Sequence, residues 1–284
     1  MKVLLNIIKF IIITVLVICS IAMGILKIVS STILEKEYII SKLEETNFYG
    51  ETYELVKSNF ENYIDQSGLD ETVLNNICTK EKIKNDINII VSNLYEGKDV
   101  NIDTTEIAQN LNNNIDNLKI KNTRNSKAIE QFVEQICKEY TETILHTKYE
   151  NKVNQIYKES KETIHLVYTA CLMGIVISGL LVLVINFKKV SKDLQDIGIT
   201  ALATSAFNII ACKIVTSKIN IEGIKIFNDT FSKAIVIIIK DVISKIKMLG
   251  FIELLIGMVL IIIYSIIVFA KSKNEQTKEK ATEE

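Results

Sequence analysis

The stretch VINFKKVSKDLQDIGITALATSAFNIIACKIV, residues 184–215, decides how many times this chain crosses a membrane. A long apolar run ends at two lysines, a short polar segment follows, and a second apolar run begins. The second run is less apolar than the first, because it carries Thr, Ser, Asn and Lys side chains. It is either another transmembrane helix or an amphipathic helix that lies on the membrane surface.

The spacing of small residues within the second run favours a transmembrane helix. Gly198, Ser205 and Asn208 fall on one helical stripe together with Ala201 and Cys212. Such stripes let transmembrane helices approach closely, and Ser and Asn side chains can form hydrogen bonds across the contact. A surface helix would carry charges on its polar face, and this run carries none between its glycine and its cysteine. We therefore predict a crossing, with the surface helix as the alternative.

The apolar run that precedes these residues offers a matching surface. Residues 165–187 are long enough to span a bilayer, which takes about 20 residues. Ala170, Gly174 and Ser178 recur in that run at every fourth position. We predict that this ridge packs against residues 198–215, so that the two spans form a helical hairpin.

Two further apolar runs complete the membrane region. The N-terminal run is longer than the core of a cleavable signal peptide, about 7–15 residues, and no A-x-A-like site follows it. An uncleaved anchor is therefore the better interpretation, in which Lys9 extends from the inner end of the span to the headgroups. Residues 251–270 are also apolar and long enough to cross.

The sequence thus predicts an all-α integral membrane protein with four transmembrane helices and an extracellular helical bundle between the first two. The chain contains no proline and only 10 glycines, so long helices are expected throughout. The predicted order is a transmembrane helix at 1–29, an extracellular helical domain at 30–163, a transmembrane helix at 164–187, a short cytoplasmic turn with the third transmembrane helix at 188–216, an amphipathic extracellular segment at 217–248, a transmembrane helix at 249–270 and a cytoplasmic tail at 271–284.

Lysines at the ends of the spans predict the orientation. The segments FKKVSK and KSKNEQTKEK follow the second and last spans, and clustered lysines favour the cytoplasmic side. Both termini are then cytoplasmic in the cell membrane, and the helical domain is extracellular. The six lysines of residues 216–248 oppose this orientation. If residues 198–215 did not cross, that segment would be cytoplasmic and the C-terminus extracellular.

Residues 30–163 carry the signals of several distinct helices. Thr79 precedes an apolar repeat that ends at Gly97, and Asp103 or Thr104 begins the next helix. A further repeat starts at Ser126 and continues into the second span with no glycine or proline to stop it. We predict one continuous helix from about residue 126 to about residue 187.

The charges of two segments are complementary. Residues 27–163 contain 17 basic and 24 acidic side chains, whereas residues 216–248 contain 6 lysines and 3 acidic side chains. The basic segment also has an apolar stripe that includes Phe231 and Ile235. Its residues 224–248 either lie in the membrane interface, the interpretation we favour, or lean on the acidic helical domain.

A carboxylate inside the last span needs a partner. Glu253 lies three residues into the apolar run, where an unpaired charge is costly. If the third and fourth spans are antiparallel neighbours, Lys213 lies at a similar depth. We predict an ion pair between Glu253 and Lys213 that fixes the register of the two helices. A proton relay is the alternative, although a single carboxylate gives it little support.

No motif for catalysis or cofactor binding occurs in the sequence. His146 and His165 lack the neighbouring ligands of a metal site, and the glycines are too sparse for a nucleotide loop. We expect no cofactor, no metal, no nucleic-acid partner and no enzymatic activity. Cys78 and Cys137 are both extracellular in the predicted topology, and whether they pair is left open.

The whole chain resembles uncharacterised four-span membrane proteins of clostridia and other Bacillota. The resemblance is carried by NFYGETYELVKSNFENYIDQSGL, by VSNLYEGKDVNID and by the Ile197–Ile199 start of the third span. It implies an anchor, an extracellular helical insert and three closing spans, and no activity.

Three functions are compatible with this plan. The first is a non-enzymatic membrane protein whose extracellular domain binds a protein partner, a ligand or another copy of itself. The second is an accessory or permease-like subunit of a transport or mechanotransmission complex, by analogy with the architecture of FtsX/MacB-like exporters. The third is an extracellular sensor without an output domain of its own.

Overall fold

The computed structural model describes residues 2–67, 69–118, 126–145, 150–187, 189–226 and 228–283. Every regular element in these ranges is helical. The α-helices are α1 Lys2–Ser30, α2 Lys36–Glu45, α3 Phe48–Ser67, α4 Lys80–Glu96, α5 Thr105–Asn117, α6 Ser126–Leu145, α7 Glu150–Ile185, α8 Val190–Lys218 and α9 Asp229–Glu283, with short 3₁₀ helices at Glu71–Leu74 and Ile221–Gly223.

The chain folds into two compact units. The first, here called the apolar unit, contains Met1–Thr32, Glu162–Ile221 and Ile239–Glu284. The second, here called the helical domain, contains Ile33–Lys161 and Glu222–Ile238. The helical domain is therefore built from two segments that are distant in sequence.

The core of the helical domain follows the apolar repeats of its helices. Helix α3 packs against α4 and α6, and α5 packs against α6. Residues one helical turn apart point to the same side, so each repeat buries one face. The buried apolar side chains of these helices include Val56, Phe60 and Ile64 of α3, Ile83 of α4, Ile107, Leu111 and Ile115 of α5, and Ile136 and Tyr140 of α6.

The predicted helix boundaries in this domain are confirmed. Thr79 caps α4, because its hydroxyl oxygen accepts a hydrogen bond of 3.1 Å from the backbone N–H of Lys82. Gly97 ends α4 with φ of 68°, a left-handed conformation that favours glycine. The carboxylate of Asp103 accepts a 2.9 Å bond from the N–H of Thr105, the first residue of α5.

The predicted continuous helix from residue 126 to residue 187 corresponds to two described helices, α6 and α7. Residues 146–149 between them, including His146, lie outside the described residues.

In the part of the chain that the structure describes, four helices are long and apolar enough to cross a membrane. They include Val3–Ser30, Tyr157–Ile185, Val190–Lys218 and Asp229–Asn274, and each of the four predicted spans overlaps one of them. The helical fold with four candidate spans therefore agrees with the sequence prediction.

The last span is longer than the sequence predicted. Helix α9 continues from Asp229 to Glu283, so no boundary separates the amphipathic segment from the span that follows it. Gly250 is the only break signal near the predicted boundary. A single glycine costs a helix only about 1 kcal/mol, and this one packs closely against α8. The helix therefore runs through.

The first residues of the amphipathic segment belong to the helical domain. The Phe231 ring meets the Phe48 ring edge-on, with centroids 4.8 Å apart, and the Lys233 ammonium lies 3.1 Å from the Glu51 carboxylate. Ala234 is part of the domain's buried core. For these residues the interface interpretation is wrong, and the alternative, contact with the acidic domain, is confirmed. Phe227, in the same segment, lies outside the described residues.

Candidate functional site

Helix α8 buries its polar side chains and exposes its apolar ones. Ile199, Phe207 and Ile214 are each more than two-fifths exposed, whereas Ser205 and Asn208 are fully buried. In water the arrangement would be the reverse. An apolar outer face with a polar inner face is expected where lipid surrounds a helix and polar groups must find partners inside the protein.

The buried polar residues of α8 form a line at every fourth position. Asp196, Thr200, Thr204 and Asn208 are all at most 6% exposed. Asp196 and Asn208 are twelve positions apart, which is about 18 Å of helix at 1.5 Å per residue. The Thr200 hydroxyl donates to the carbonyl of Asp196 at 2.9 Å, and the Thr204 hydroxyl donates to the carbonyl of Thr200 at 3.1 Å. The middle of the line is thus satisfied within the helix.

One end of the line is an ion pair with a shared amide. The Lys9 ammonium of α1 lies 2.6 Å from the Asp196 carboxylate and donates a 3.1 Å bond to the side-chain oxygen of Asn186. The Asn186 amide nitrogen donates to Asp196 at 2.6 Å and to Asp193 at 2.9 Å. Lys9 therefore does not extend to the headgroups, as the sequence suggested, because a buried carboxylate binds it within the apolar unit.

The other end of the line is Glu253 of α9. The Asn208 amide nitrogen donates a 2.9 Å hydrogen bond to its carboxylate, and the Thr204 hydroxyl lies within hydrogen-bonding reach of the same group. Both partners are neutral. Two buried atoms of α8 in this region, the Ser205 hydroxyl oxygen and the Asn208 side-chain oxygen, have no hydrogen-bond partner among the described residues. Such atoms are rare in folded proteins and call for an explanation.

Glycines hold α8 and α9 close together. A Cβ atom added at Gly250 would lie 3.2 Å from the Cβ of Asn208 and 3.4 Å from the backbone oxygen of Ser205. A Cβ at Gly257 would lie 3.0 Å from the backbone nitrogen of Leu202. At Gly198, the Ile261 side chain of α9 occupies the same space, 2.9 Å away. Along these contacts, residue numbers increase on α9 while they decrease on α8, so the two helices are antiparallel.

This register corrects the predicted partner of Glu253. Continued along the helices, it sets Lys213 opposite residue 246, seven residues or about 10 Å from Glu253. Lys213 is exposed, and within the described part of the chain it forms no ion pair with Glu253. The antiparallel arrangement of the two spans was correctly predicted, but the neutral amide of Asn208 takes the position expected for the lysine.

The remaining predicted packing residues lie elsewhere in the apolar unit. A Cβ added at Gly174 would meet the Cys19 sulfur of α1 at 2.7 Å, with no α8 atom among its nearest neighbours. The predicted match between Gly174 and the stripe of α8 is therefore wrong. Ser178 is buried on α7. Of the predicted residues, the structure brings together Ser205, Asn208 and Glu253.

Sequence reasoning missed the cluster of Lys9, Asn186, Asp193 and Asp196. A signal was present, because Asp196 lies four residues before Thr200 and so extends the polar repeat by one turn. Asn186 and Asp193 flank the two lysines of the turn, where charges are usually interpreted as solvated. No pattern in the sequence associates Lys9 with residues that follow much later in the chain.

The helical domain has a groove of its own. The cavity has a volume of about 360 Å³ and lies between α3 and the segment from Glu71 to Cys78. Val56, Phe60 and Ile77 form its floor, and all three are at most 3% exposed. At its rim, the ammonium of Lys57 lies 3.8 Å from the carboxylate of Glu61. The groove thus combines a mostly polar accessible surface with an exposed ion pair, above apolar side chains that are almost completely buried.

The remaining candidates from the sequence are the cysteines and the histidines. Cys78 and Cys137 are free thiols. Burial raises the pKa of the Cys78 thiol to about 11 and also raises the pKa of Cys137. His165 is exposed. Among the described residues, no group of three or more His, Cys, Asp or Glu side chains could hold a metal ion.

Comparison with known proteins identifies no relative. No family model, no curated protein and no solved structure matches the chain. The resemblance to clostridial membrane proteins therefore stays a prediction, and any function must be argued from the geometry of the two units.

Proposed function

We propose that the chain is a non-enzymatic multi-pass protein of the cell membrane, whose helical domain is an extracellular binding module. The membrane placement is supported by the four apolar helices and by the exposed apolar face of α8. The orientation, with both termini cytoplasmic, is supported by the lysines that follow α7 and those near the C-terminus.

The groove between α3 and the segment from Glu71 to Cys78 is the observation that carries the binding function. A volume of about 360 Å³ lies at the lower end of the range of small-molecule sites, about 300–1,000 Å³. The accessible lining is mostly polar, and the rim pair of Lys57 and Glu61 suits a charged or zwitterionic group. We propose a small zwitterionic ligand.

A binding screen with matched variants tests the groove. The purified full chain in nanodiscs is screened by thermal stabilisation against small zwitterions such as amino acids and dipeptides. Lys57→Ala should abolish the stabilisation by any hit. Lys138→Ala should not, because Lys138 and Glu142 form an equally exposed pair at 3.9 Å outside the groove. A screen without hits, or hits unaffected by Lys57→Ala, would refute the groove as the binding site.

The orientation is tested by labelling single cysteines in intact cells. Lys189→Cys, Lys225→Cys and Lys273→Cys are introduced into a chain without its native cysteines. A membrane-impermeant maleimide should label only position 225 before permeabilisation. Labelling of positions 189 and 225 together would mean that α8 does not cross.

A second function is favoured by the polar line of α8. A buried chain of polar groups between two carboxylates is unusual in a membrane helix and is typical of proteins that move or sense ions. An accessory or permease-like subunit of a transport complex would use such a line. A permease or ATPase that copurifies with the full chain from its native membrane, and is lost on Asp196→Asn substitution, would support this alternative.

A further inference from the structure

Glu253 is a carboxyl group in an apolar helix without a cationic partner. Its side-chain contacts are the Asn208 amide and the Thr204 hydroxyl, both neutral. Within the described chain no lysine forms an ion pair with it. A bare carboxylate is costly inside a membrane, so the group must bind either a proton or a cation.

Two side-chain oxygens lie on the turn of α8 that contacts Glu253. The Asn208 side-chain oxygen and the Ser205 hydroxyl oxygen are buried, and no described residue forms a hydrogen bond with either of them. A protonated carboxyl group can donate one hydrogen bond, to the Asn208 oxygen, and the Ser205 hydroxyl must then donate its own proton to find a partner. A hard cation binds several oxygens at once, so it satisfies both and neutralises the carboxylate.

The backbone holds these oxygens on facing turns. Ser205 and Asn208 are three residues apart on α8, and Gly250 is three residues before Glu253 on α9. Gly250 lies against both α8 residues, within 3.4 Å of the Ser205 carbonyl oxygen when its missing Cβ is added. That close approach gives the site a small radius.

The single negative charge of Glu253 favours a monovalent cation. One carboxylate balances one positive charge, whereas a divalent ion would leave a net charge in an apolar layer. The lysines nearest along the two helices, Lys213 and Lys247, are each more than a full turn from the site, and Lys27 of α1 is exposed. Lys9 already binds Asp196 at the far end of the line.

We propose that Glu253, Asn208, Ser205 and Thr204 form an intramembrane site for a monovalent cation, and that Na⁺ is its occupant. The proposal rests on the membrane placement of α8 and α9 and is independent of the groove in the helical domain. It names Na⁺ as the ion for the alternative function, in which the chain is a subunit of a transport complex.

Protection from a carbodiimide tests the site. Dicyclohexylcarbodiimide modifies protonated carboxyl groups in apolar surroundings, and a bound cation blocks the reaction. The purified full chain in nanodiscs is treated at a fixed, mildly acidic pH, and modification of Glu253 is measured by mass spectrometry. Replacing choline chloride by NaCl at constant ionic strength should slow the modification, and Glu253→Gln should remove the labelled site.

Two serine variants form a matched pair. Ser205→Ala removes one proposed ligand and keeps the bond between Asn208 and Glu253. The Na⁺ concentration that gives half-maximal protection of Glu253 should therefore rise at least about tenfold over that of the unmodified chain. Ser265→Ala, on the exposed face of α9, removes a hydroxyl that donates only to the Ile261 carbonyl and should leave the protection unchanged. Equilibrium binding of radioactive sodium to the unmodified chain and to Glu253→Gln gives a second measurement that does not depend on the serine variants.

Each contrary result has a distinct meaning. Equal modification in NaCl and choline chloride, with a decline only as pH rises, would show a proton site and overturn the proposal. Stronger protection by K⁺ would overturn the assignment to Na⁺, and stronger protection by Ca²⁺ would overturn the single charge. Loss of ligand binding in the groove variants would leave all of these results unaffected, so the two proposals fail separately.

Discussion

At the scale of single residues, partners distant in sequence determine the chemistry of the apolar unit. Asp196 is buried and bound by Lys9 and Asn186, and Glu253 is bound by Asn208. The two carboxylates therefore have different environments on one polar line. The first has a full positive charge beside it, whereas the second has only neutral donors.

Removal of one member of the Lys9–Asp196 pair should be strongly destabilising. Asp196→Ala leaves the partly buried ammonium of Lys9 without its counter-ion, and we expect a loss of up to about 3–5 kcal/mol in the free energy of unfolding. The double variant Lys9→Met with Asp196→Leu should recover most of the loss, since neither charge then remains. Unfolding of the full chain in mixed detergent micelles measures both. A double variant as unstable as the single one would contradict this account.

Double-mutant cycles should separate the two candidate partners of Glu253. For Asn208→Ala with Glu253→Ala we expect a coupling energy of about 0.5–2 kcal/mol, the range for hydrogen bonds between membrane helices. For Lys213→Ala with Glu253→Ala we expect none, because Lys213 is exposed. The same unfolding assay supplies both cycles. Coupling to Lys213 would restore the ion pair that the sequence predicted.

The Cys78 thiol should react slowly at neutral pH. Its pKa of about 11 exceeds the ordinary value of 9.0 because burial disfavours the thiolate, and the thiolate is the reactive form. Alkylation near neutral pH should therefore be about a hundredfold slower than for an exposed thiol, such as one introduced by Lys138→Cys. The rate should rise about tenfold per pH unit until pH approaches 11.

The same shift links the stability of the helical domain to pH. Because the folded state holds the pKa above the unfolded value, the protonated thiol stabilises the fold fully below pH 9. The contribution is lost as pH rises from 9 towards 11. An alkylation rate that levels off near pH 9 would show that Cys78 is more accessible to solvent than the structure indicates.

At the scale of helices, glycine positions set the contact between α8 and α9. A methyl group at Gly257 would meet the Leu202 backbone nitrogen at 3.0 Å, and a backbone atom cannot give way as a flexible side chain can. At Gly179 of α7, an added Cβ has nothing within 4 Å. The same residue type therefore lies in a tight helix contact at position 257 and beside open space at position 179.

Alanine at these two glycines should have opposite effects. Gly257→Ala should separate the helices and cost about 1–3 kcal/mol, as overpacking in a core does. Gly179→Ala should be neutral or slightly stabilising, because alanine favours the helix. Thermal unfolding of the full chain in detergent compares them. Equal effects of the two substitutions would mean that α8 and α9 do not approach at Gly257.

At the scale of the whole molecule, the helical domain is completed by a segment that follows the third candidate span. Phe231 contacts Phe48, and Ala234 enters the core. An ion pair between Lys233 and Glu51 accompanies these contacts, but both side chains remain partly exposed. The apolar contact should therefore stabilise the domain more than the charges do.

Substitutions in this segment distinguish the two contributions. Phe231→Ala should lower the stability of the helical domain by about 2–4 kcal/mol through loss of the aromatic contact and the cavity it leaves. Lys233→Ala should cost less than about 1 kcal/mol, as for other surface ion pairs. Hydrogen exchange of α3 in the full chain reports both changes. A larger effect of Lys233→Ala would show that the charges dominate.

The sequence predicted helices well and partners poorly, for physical reasons. Capping at Thr79 and the turn at Gly97 are local, so both were predictable from neighbouring residues. The stripe of Ser205 and Asn208 was also visible, because one helix carries it. The Lys9–Asp196 pair and the register of α8 against α9 depend on contacts between distant segments, which periodicity within one segment does not encode. The predicted pair of Glu253 and Lys213 was wrong for this reason, because Lys213 lies about two helical turns from the position opposite Glu253.

The pairing of Lys9 with Asp196 also bears on how the protein is made. A lone carboxylate in α8 opposes transfer of the helix from the translocon into lipid. The penalty reaches about 2.5–3.5 kcal/mol when the charge lies at mid-bilayer depth. The ammonium that offsets this penalty belongs to α1, which precedes both the helical domain and α8 in the chain. We therefore expect α8 to enter the bilayer more favourably when α1 is already beside it.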